Sequence, residues 1–248
     1  MSVFHGSVYS KCMNMRTGLT IAFPNELRDS DMPYKVIYML HGKTDDHYCW
    51  TDQTMLPIFV NEYPVICVMP EVQKSWYEDM VYGLPYHTYI TQELPELCRK
   101  LLPISTRRED TAIAGLSMGG YGAMKFALRH PEQYAMCGSF SSSCNIRRKL
   151  VDPQDQDYKE LQAILGPSFE TVEQADLYPL AEKCACASVK PRIYMTCGTE
   201  DALYGDWKRF GDHLEKLHYD VEREAWSGVH DWYFWNKAIK NFMDRFCK

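Results

Sequence analysis

Long apolar segments are missing from this 248-residue sequence. No stretch reaches the ~18 consecutive apolar residues that a membrane-spanning helix needs, and no basic start followed by an apolar run marks a signal peptide. We therefore expect a cytoplasmic protein without a membrane partner. Basic residues are not in excess, since 27 Lys and Arg stand against 33 Asp and Glu, giving a net charge of −6. This charge gives no reason to expect a nucleic-acid partner.

The ten cysteines lack the spacing of a metal site or a disulfide framework. Cys184 and Cys186 form one C-x-C pair without a second pair, which disfavours zinc. In a chain of this length without a secretion signal, the cysteines are better interpreted as reduced thiols.

One acidic segment, HGKTDDH, offers other metal ligands. Its spacing matches no common zinc motif, and acidic loops are usually only solvated. We therefore expect no metal and no cofactor. The four candidate ligands of this disfavoured alternative are His41, Asp45, Asp46 and His47.

A G-x-S-x-G pentapeptide at 115–119 stands between a short apolar run and an amphipathic run. This context predicts a tight strand-to-helix turn, in which glycine at 115 and 119 avoids a steric clash with the backbone. Such a turn exposes the Ser117 hydroxyl beside the N-terminus of a helix, where unpaired N–H groups carry partial positive charge. Ser117 is therefore the candidate nucleophile.

Strand-like and helix-like segments alternate along the chain, which predicts an α/β fold with a mostly parallel, doubly wound sheet and helices on both faces. The first two strands form an antiparallel edge pair. We expect one domain over 1–248, with a helical and loop insertion at about 140–190 above the site. Predicted strands span 3–9, 19–23, 34–40, 65–69, 111–114, 135–139, 192–197 and 221–226; predicted helices span 52–61, 86–101, 120–129, 207–217 and 232–246.

A serine nucleophile needs a base and a carboxylate that orients the base. In doubly wound hydrolases these partners follow the serine in the order acid, then histidine, each after a strand. Asp201 follows the strand at 192–197, and His230 follows the strand at 221–226. Glu200 is the local rival for the acid, because sequence does not show side-chain direction. His41 precedes the serine, so we expect a buried structural role for it.

Acyl transfer also needs N–H donors for the oxygen that becomes negative. The residue after the nucleophile, Met118, supplies one backbone donor. The second is expected from the loop after His41 and Gly42, at the Lys43 N–H. Four aromatic residues flank these segments and are candidates for a substrate pocket, although aromatic residues are more often found in the core. They are Trp50, Trp76, Tyr77 and Trp232.

With these residues placed, the chain resembles the esterase D-like family of α/β-hydrolases over nearly its whole length. This family includes tributyrin, feruloyl and acetyl xylan esterases, S-formylglutathione hydrolases and mycolyl transferases. The segments that carry the likeness are YMLHG at 38–42, SWYEDMVYG at 75–83, YITQELPEL at 89–97, REDTAIAGLSMGGYGAMKFALRHPE at 108–132, CGTEDALY at 197–204 and SGVHDWYFW at 227–235.

The resemblance implies an α/β-hydrolase fold and a Ser117, Asp201 and His230 triad, with Met118 and Lys43 as the oxyanion hole. The likeness is greatest to the tributyrin, feruloyl and acetyl esterase branch. The loop after His41 departs from the S-formylglutathione hydrolase pattern, and it lacks the glycine run of lipases.

We therefore expect a serine carboxylesterase for small acyl or aryl esters, with carbohydrate esters included, that works through an acyl-enzyme. Its partner is a small-molecule ester, and a homo-oligomer is open. The alternatives are an S-formylglutathione hydrolase-like thioesterase, an acyltransferase and, less favoured, a non-catalytic binding protein with the same fold.

Overall fold

Eight strands form one sheet in the computed structural model, which describes residues 2–248. The strands are β1 (Ser2–Ser10), β2 (Met15–Phe23), β3 (Lys35–Leu40), β4 (Val65–Pro70), β5 (Thr111–Leu116), β6 (Met136–Phe140), β7 (Arg192–Gly198) and β8 (Val221–Trp226). Their order across the sheet is β1-β2-β4-β3-β5-β6-β7-β8. The pairs β1–β2 and β2–β4 are antiparallel, and every later pair is parallel. The predicted alternation and the antiparallel edge pair are both found.

Helices cover both faces of the sheet. They are α1 (Cys49–Gln53), α2 (Leu56–Phe59), α3 (Tyr86–Thr88), α4 (Leu94–Leu101), α5 (Met118–Arg129), α6 (Gln156–Leu165), α7 (Val172–Ala175), α8 (Leu177–Ala185), α9 (Tyr204–Lys216) and α10 (Trp232–Cys247). Short 3₁₀ turns occupy Asp29–Asp31, Val60–Glu62, Arg108–Asp110 and Ile146–Leu150. None of the helices within residues 2–248 combines the length and the apolar character that crossing a membrane requires.

Successive side chains of β3 point to opposite faces of the sheet, and this alternation explains the two apolar layers. Val36, Tyr38 and Leu40 pack with α4, α5 and α9 on one face of the sheet. Ile37 and Met39 pack with α1, α2 and α10 on the other face. Since successive strand residues point to opposite faces, a strand buried on both sides needs a continuous apolar run.

Two predicted helices are interrupted where proline stands. The expected helix at 52–61 is divided into α1 and α2, and Pro57 lies in the first turn of α2, where its missing N–H costs nothing. The helix expected at 86–101 contains a π-helical turn at Tyr89–Glu93, directly before Pro95 in the first turn of α4. Pro95 has no N–H to donate to the preceding turn of the helix. The π-helical turn is where the helix adapts to this missing hydrogen bond.

Residues 141–191, between β6 and β7, form the insertion that the sequence predicts at about 140–190. The insertion contains α6, α7 and α8, and α8 packs against α5. The single-domain organisation stays a prediction.

A buried ion pair fixes one loop against α5. Lys125 is 0% exposed, and its ammonium donates to the Glu78 carboxylate and to the carbonyls of Trp76 (3.1 Å) and Tyr77 (2.7 Å). Burial lowers the pKa of Lys125 to about 8, although Glu78 acts in the opposite direction. Trp76 and Tyr77 have φ values of 51° and 60°, so these donors hold a loop conformation that few side chains adopt.

Replacing Lys125 with alanine leaves the Glu78 carboxylate buried without its ammonium partner. We expect Lys125→Ala to lower the free energy of unfolding by about 3–5 kcal/mol, measured by urea denaturation. Lys100→Ala, at an exposed position of α4, is the matched control and leaves stability unchanged. A loss below about 1 kcal/mol for Lys125→Ala contradicts the assigned role.

Candidate active site

Ser117 lies in the turn between β5 and α5, with φ 54° and ψ −117°. A non-glycine residue in such a conformation costs about 1–3 kcal/mol and persists only where its surroundings hold it. Its N–H donates to the Phe140 carbonyl (2.9 Å), and its carbonyl accepts from the N–H groups of Tyr121 (3.0 Å) and Ser143 (3.4 Å). The backbone of Ser117 is therefore fixed by β6, by the start of the insertion and by α5.

Glycine is required on both sides of this turn. A Cβ on Gly115 would lie 2.4 Å from the Gly119 carbonyl oxygen, and a Cβ on Gly119 would lie 2.3 Å from the Leu40 carbonyl oxygen. The neighbouring atoms are backbone atoms, which cannot move aside as a flexible side chain can. The missing side chains bring α5 directly against the end of β3.

Three side chains predicted to act together meet at this turn. His230 Nε2 is 3.0 Å from Ser117 Oγ, and His230 Nδ1 is 2.8 Å from Asp201 Oδ2. Because a carboxylate only accepts, Nδ1 carries the proton and Nε2 is free to accept from the hydroxyl. The arrangement can remove a proton from Ser117 and hold the imidazolium that results.

Asp201 is placed by its own loop. Its side chain is 0% exposed, and its Oδ1 accepts from the Leu203 N–H at 2.8 Å. Burial alone would raise the pKa of Asp201, but hydrogen bonds from His230 and Leu203 outweigh that effect and bring the pKa below its ordinary value. Asp201 is therefore ionised at neutral pH despite its burial.

Glu200 is directed away from His230. Its carboxylate accepts from the N–H of Gly228 (2.6 Å) and from the hydroxyl of Ser227 (3.4 Å). These bonds join the loop that carries the acid to the loop that carries His230. The Glu200 N–H also donates to the Gly228 carbonyl (3.2 Å), so Glu200 connects the two loops by its side chain and by its backbone.

The His41 ring is buried, as expected, and it fixes the loop after β3. His41 Nδ1 donates to the Gly42 carbonyl (2.7 Å), and Nε2 accepts from the Val72 N–H (3.1 Å). The Gly42 N–H donates to Asp45 (3.1 Å), so both sides of this residue are held. Since the N–H and C=O of a trans peptide point in opposite directions, the Lys43 N–H points away from His41.

Two of the aromatic residues predicted for a pocket belong instead to the core. Trp50 and Tyr77 are both 0% exposed. Trp50 Nε1 donates to the Leu40 carbonyl (3.1 Å), and the Tyr77 hydroxyl donates to the His41 carbonyl (2.7 Å). The pocket interpretation is wrong for these two, because their rings and polar atoms are used to hold the loop after β3.

The other two aromatic residues differ from each other. Trp76 is 2% exposed and packs edge-on against Tyr121, so it is also part of the core. Trp232 is partly exposed and lines a cavity of about 590 Å³ between the end of α1 and the start of α10. Asp231, the residue after His230 in the sequence, also lines this cavity, whereas His230 and Ser117 do not. Of the four predicted aromatic residues, Trp232 offers the open surface.

The side chain of Lys43 connects the site to the insertion. Its ammonium pairs with Asp157 and, at 3.0 Å, with Glu160, both on α6. Partial burial would lower the pKa of Lys43, but the two carboxylates raise it above its ordinary value. No sequence pattern pointed to Asp157, which lies 114 residues from Lys43.

The candidate metal ligands of 41–47 are used in other contacts. The His41 ring bonds to backbone groups, and His47 Nδ1 lies 2.8 Å from the Thr20 hydroxyl. Asp45 closes a turn with Gly42, which the spacing of three residues permits. In the described chain, residues 2–248, no group of three or more His, Cys, Asp or Glu side chains is placed to hold a metal ion.

Comparison with known proteins gives a consistent result. A family model described as "Putative esterase" matches residues 10–245. An acetyl esterase of Caldicellulosiruptor saccharolyticus is 27% identical over 259 residues, covering 98% of this chain and 97% of that protein.

Two solved structures from Staphylococcus aureus are also similar over the whole chain. The fluorophosphonate-binding serine hydrolase FphF, with substrate bound, has 29% identity and a TM-score of 0.91, covering 100% of this chain and 98% of FphF. The S-formylglutathione hydrolase FrmB has 29% identity and a TM-score of 0.86, with both chains covered in full.

A methyl group on Gly119 would collide with the carbonyls of Leu40 (2.3 Å) and His41 (2.6 Å). We expect Gly119→Ala to lower the free energy of unfolding by about 1–3 kcal/mol and to lengthen the Ser117–His230 contact in a crystal structure. Gly205→Ala is the matched control, because its Cβ would lie 3.5 Å from Arg209 in helix α9. The control retains stability or gains up to about 1 kcal/mol. Equal stability of both variants refutes the steric argument.

Proposed function

The chain belongs to this esterase family and has the α/β-hydrolase fold, and from that premise we propose that it is a serine carboxylesterase acting through Ser117. The observation that carries the proposal is the unbroken contact from Ser117 Oγ through His230 to Asp201, at 3.0 and 2.8 Å. A nucleophile, a base and an orienting acid in this geometry form a catalytic triad.

In the first half of the reaction, Ser117 Oγ attacks the ester carbonyl as its proton passes to His230 Nε2. Asp201 holds the imidazolium by accepting from Nδ1. His230 then gives the proton to the alkoxide of the leaving alcohol, and the acyl group stays on Ser117. In the second half, water attacks the acyl-enzyme by the same proton route and releases the acid.

The oxyanion is stabilised by the N–H groups of Met118 and Lys43. Met118 is the first residue of α5, where helix geometry provides no acceptor within the helix for its N–H. The Lys43 N–H is directed by the fixed Gly42 carbonyl. Each preorganised donor of this kind lowers the barrier by about 3–4 kcal/mol.

Short acyl esters, with acetyl esters first, are the proposed substrates. The similarity to an acetyl esterase over the full chain supports this choice. Trp232 is the proposed contact for the substrate, in the cavity that Asp231 and Trp232 line. A feruloyl or other aryl ester, alone or on a carbohydrate, uses the same chemistry.

Thioester hydrolysis is the second candidate, because FrmB is as similar in sequence as FphF. The ratio of kcat/KM for acetyl esters to that for S-formylglutathione decides between the two. Acyl transfer is distinguished by product analysis in the presence of a competing alcohol.

The other properties of the protein remain predictions. The ten cysteines are free thiols, which supports a reducing compartment such as the cytoplasm. The oligomeric state is open, and the absence of a nucleic-acid partner is a prediction from the sequence alone.

We expect a fluorophosphonate to add one phosphonyl group to the protein, on the peptide that contains Ser117. Ser117→Ala and His230→Ala should each lower kcat by about 10⁴-fold or more, with a thermal midpoint close to wild type as the control for folding. Mass spectrometry of the intact protein and of its peptides measures the label. An unlabelled Ser117 peptide in folded protein favours a non-catalytic binding protein.

Asp201→Asn and Glu200→Gln show which of the two neighbouring carboxylates orients His230. We expect Asp201→Asn to lower kcat by about 10⁴-fold, because the amide no longer holds the required His230 tautomer. Glu200→Gln keeps an acceptor for the Gly228 N–H and should change kcat by less than about tenfold. Steady-state kinetics on an acetyl ester measures both variants. The opposite ranking would assign the acid to Glu200.

A further inference from the structure

Three buried hydroxyl groups near the triad make no aligned hydrogen bond. Ser141, Ser142 and Thr196 are each 0% exposed, and their side-chain oxygens make no aligned hydrogen bond within residues 2–248. Such groups are rare, because burial removes their bonds to water. The mechanism above uses none of them.

Ser141 differs from the other two in its backbone. It follows β6 directly and has φ 45°, so it lies in the left-handed region, as Ser117 does at φ 54°. Its N–H donates to the Thr196 carbonyl of β7 at 2.8 Å. Residues whose backbone is held in this region are concentrated at functional sites. The fold thus maintains a strained serine beside the nucleophile.

The position of Ser141 places its hydroxyl at the acid. The preceding residue, Phe140, accepts from the Ser117 N–H, and β7 continues from Thr196 through Gly198 to the loop of Asp201. The Ser141 hydroxyl lies close enough to the Asp201 carboxyl and the Cys197 thiol to lower the pKa of each, against the effect of burial. Of these two neighbours the carboxylate is the stronger acceptor.

Asp201 has capacity for a further donor. Its Oδ2 accepts from His230 and its Oδ1 from the Leu203 N–H, whereas an ionised carboxylate has about four acceptor positions. A hydroxyl rotates about its C–O bond, and hydrogen bonds at catalytic groups often become aligned only when substrate is bound.

We propose that Ser141 is a positioning residue for the acid: its hydroxyl donates a third hydrogen bond to the Asp201 carboxylate and fixes the direction in which that carboxylate meets His230. This inference rests on the proposed esterase function. Ser141 contacts neither the substrate nor the reacting atoms, so it acts only through Asp201.

The pH profile of kcat/KM provides the readout, because its acid limb reports protonation of His230 in the free enzyme. The groups that face the pair are the Cys197 thiol beside Asp201, and Asp45, whose charge acts on His230 from the loop after β3. The variants below change none of these groups. A shift of the acid limb therefore reports the contact between Ser141 and Asp201.

Two variants distinguish the effect of losing the Ser141 hydroxyl from the effect of the strained backbone. Ser141→Ala removes the hydroxyl and keeps the backbone strain, whereas Ser141→Gly removes the hydroxyl and suits φ 45°. We expect both to lower kcat by about tenfold and to leave KM unchanged. The acid limb should move up by about half a pH unit, since the carboxylate then keeps more charge for the His230 imidazolium.

Ser142→Ala is the matched control, since it removes another buried hydroxyl one residue away, which acts on the Cys144 thiol and not on Asp201. We expect it to keep the wild-type kcat and pH profile. The proposal is overturned if Ser141→Gly has wild-type kcat, or if both Ser141 variants lose activity without any shift of the acid limb. Hydrolysis and fluorophosphonate labelling of the wild-type enzyme test the esterase function separately.

Discussion

The contact between the first turn of α5 and the end of β3 is the constraint on which the site depends. Gly119 lies so close to the carbonyls of Leu40 and His41 that no side chain fits between them. This approach brings together the end of β3 and the start of α5, which are far apart in the sequence. The nucleophile and both proposed oxyanion donors are consequently presented by one tightly packed unit.

Around this unit, buried side chains donate hydrogen bonds to backbone carbonyls. Trp50, Tyr77 and His41 each donate to a carbonyl in the loop after β3, and Lys125 does the same for the loop at 76–77. Because buried carbonyls must be paired, these donors leave the two loops few alternative conformations. The strain at Ser117 is maintained by its own backbone hydrogen bonds to Phe140, Tyr121 and Ser143.

Most of the fold and the three central residues could be predicted from the sequence, because they depend on local patterns. Apolar runs define the strands before Ser117 and Asp201, and a segment of mixed apolar and charged residues forms the strand before His230. The direction of a side chain could not be predicted. Glu200 turns to Gly228 because the neighbouring loop presents an N–H there. Trp50 and Tyr77 are core residues for the same reason, since the carbonyls of Leu40 and His41 accept hydrogen bonds from them.

The ion pair between Lys43 and Asp157 has a consequence for how this molecule can diversify. The Lys43 side chain pairs with the insertion, and its backbone N–H is the proposed oxyanion donor, so one residue belongs to both parts. A change in the length or angle of α6 is transmitted to the loop after β3 unless the pair is replaced. Selectivity and rate are thus coupled through this residue.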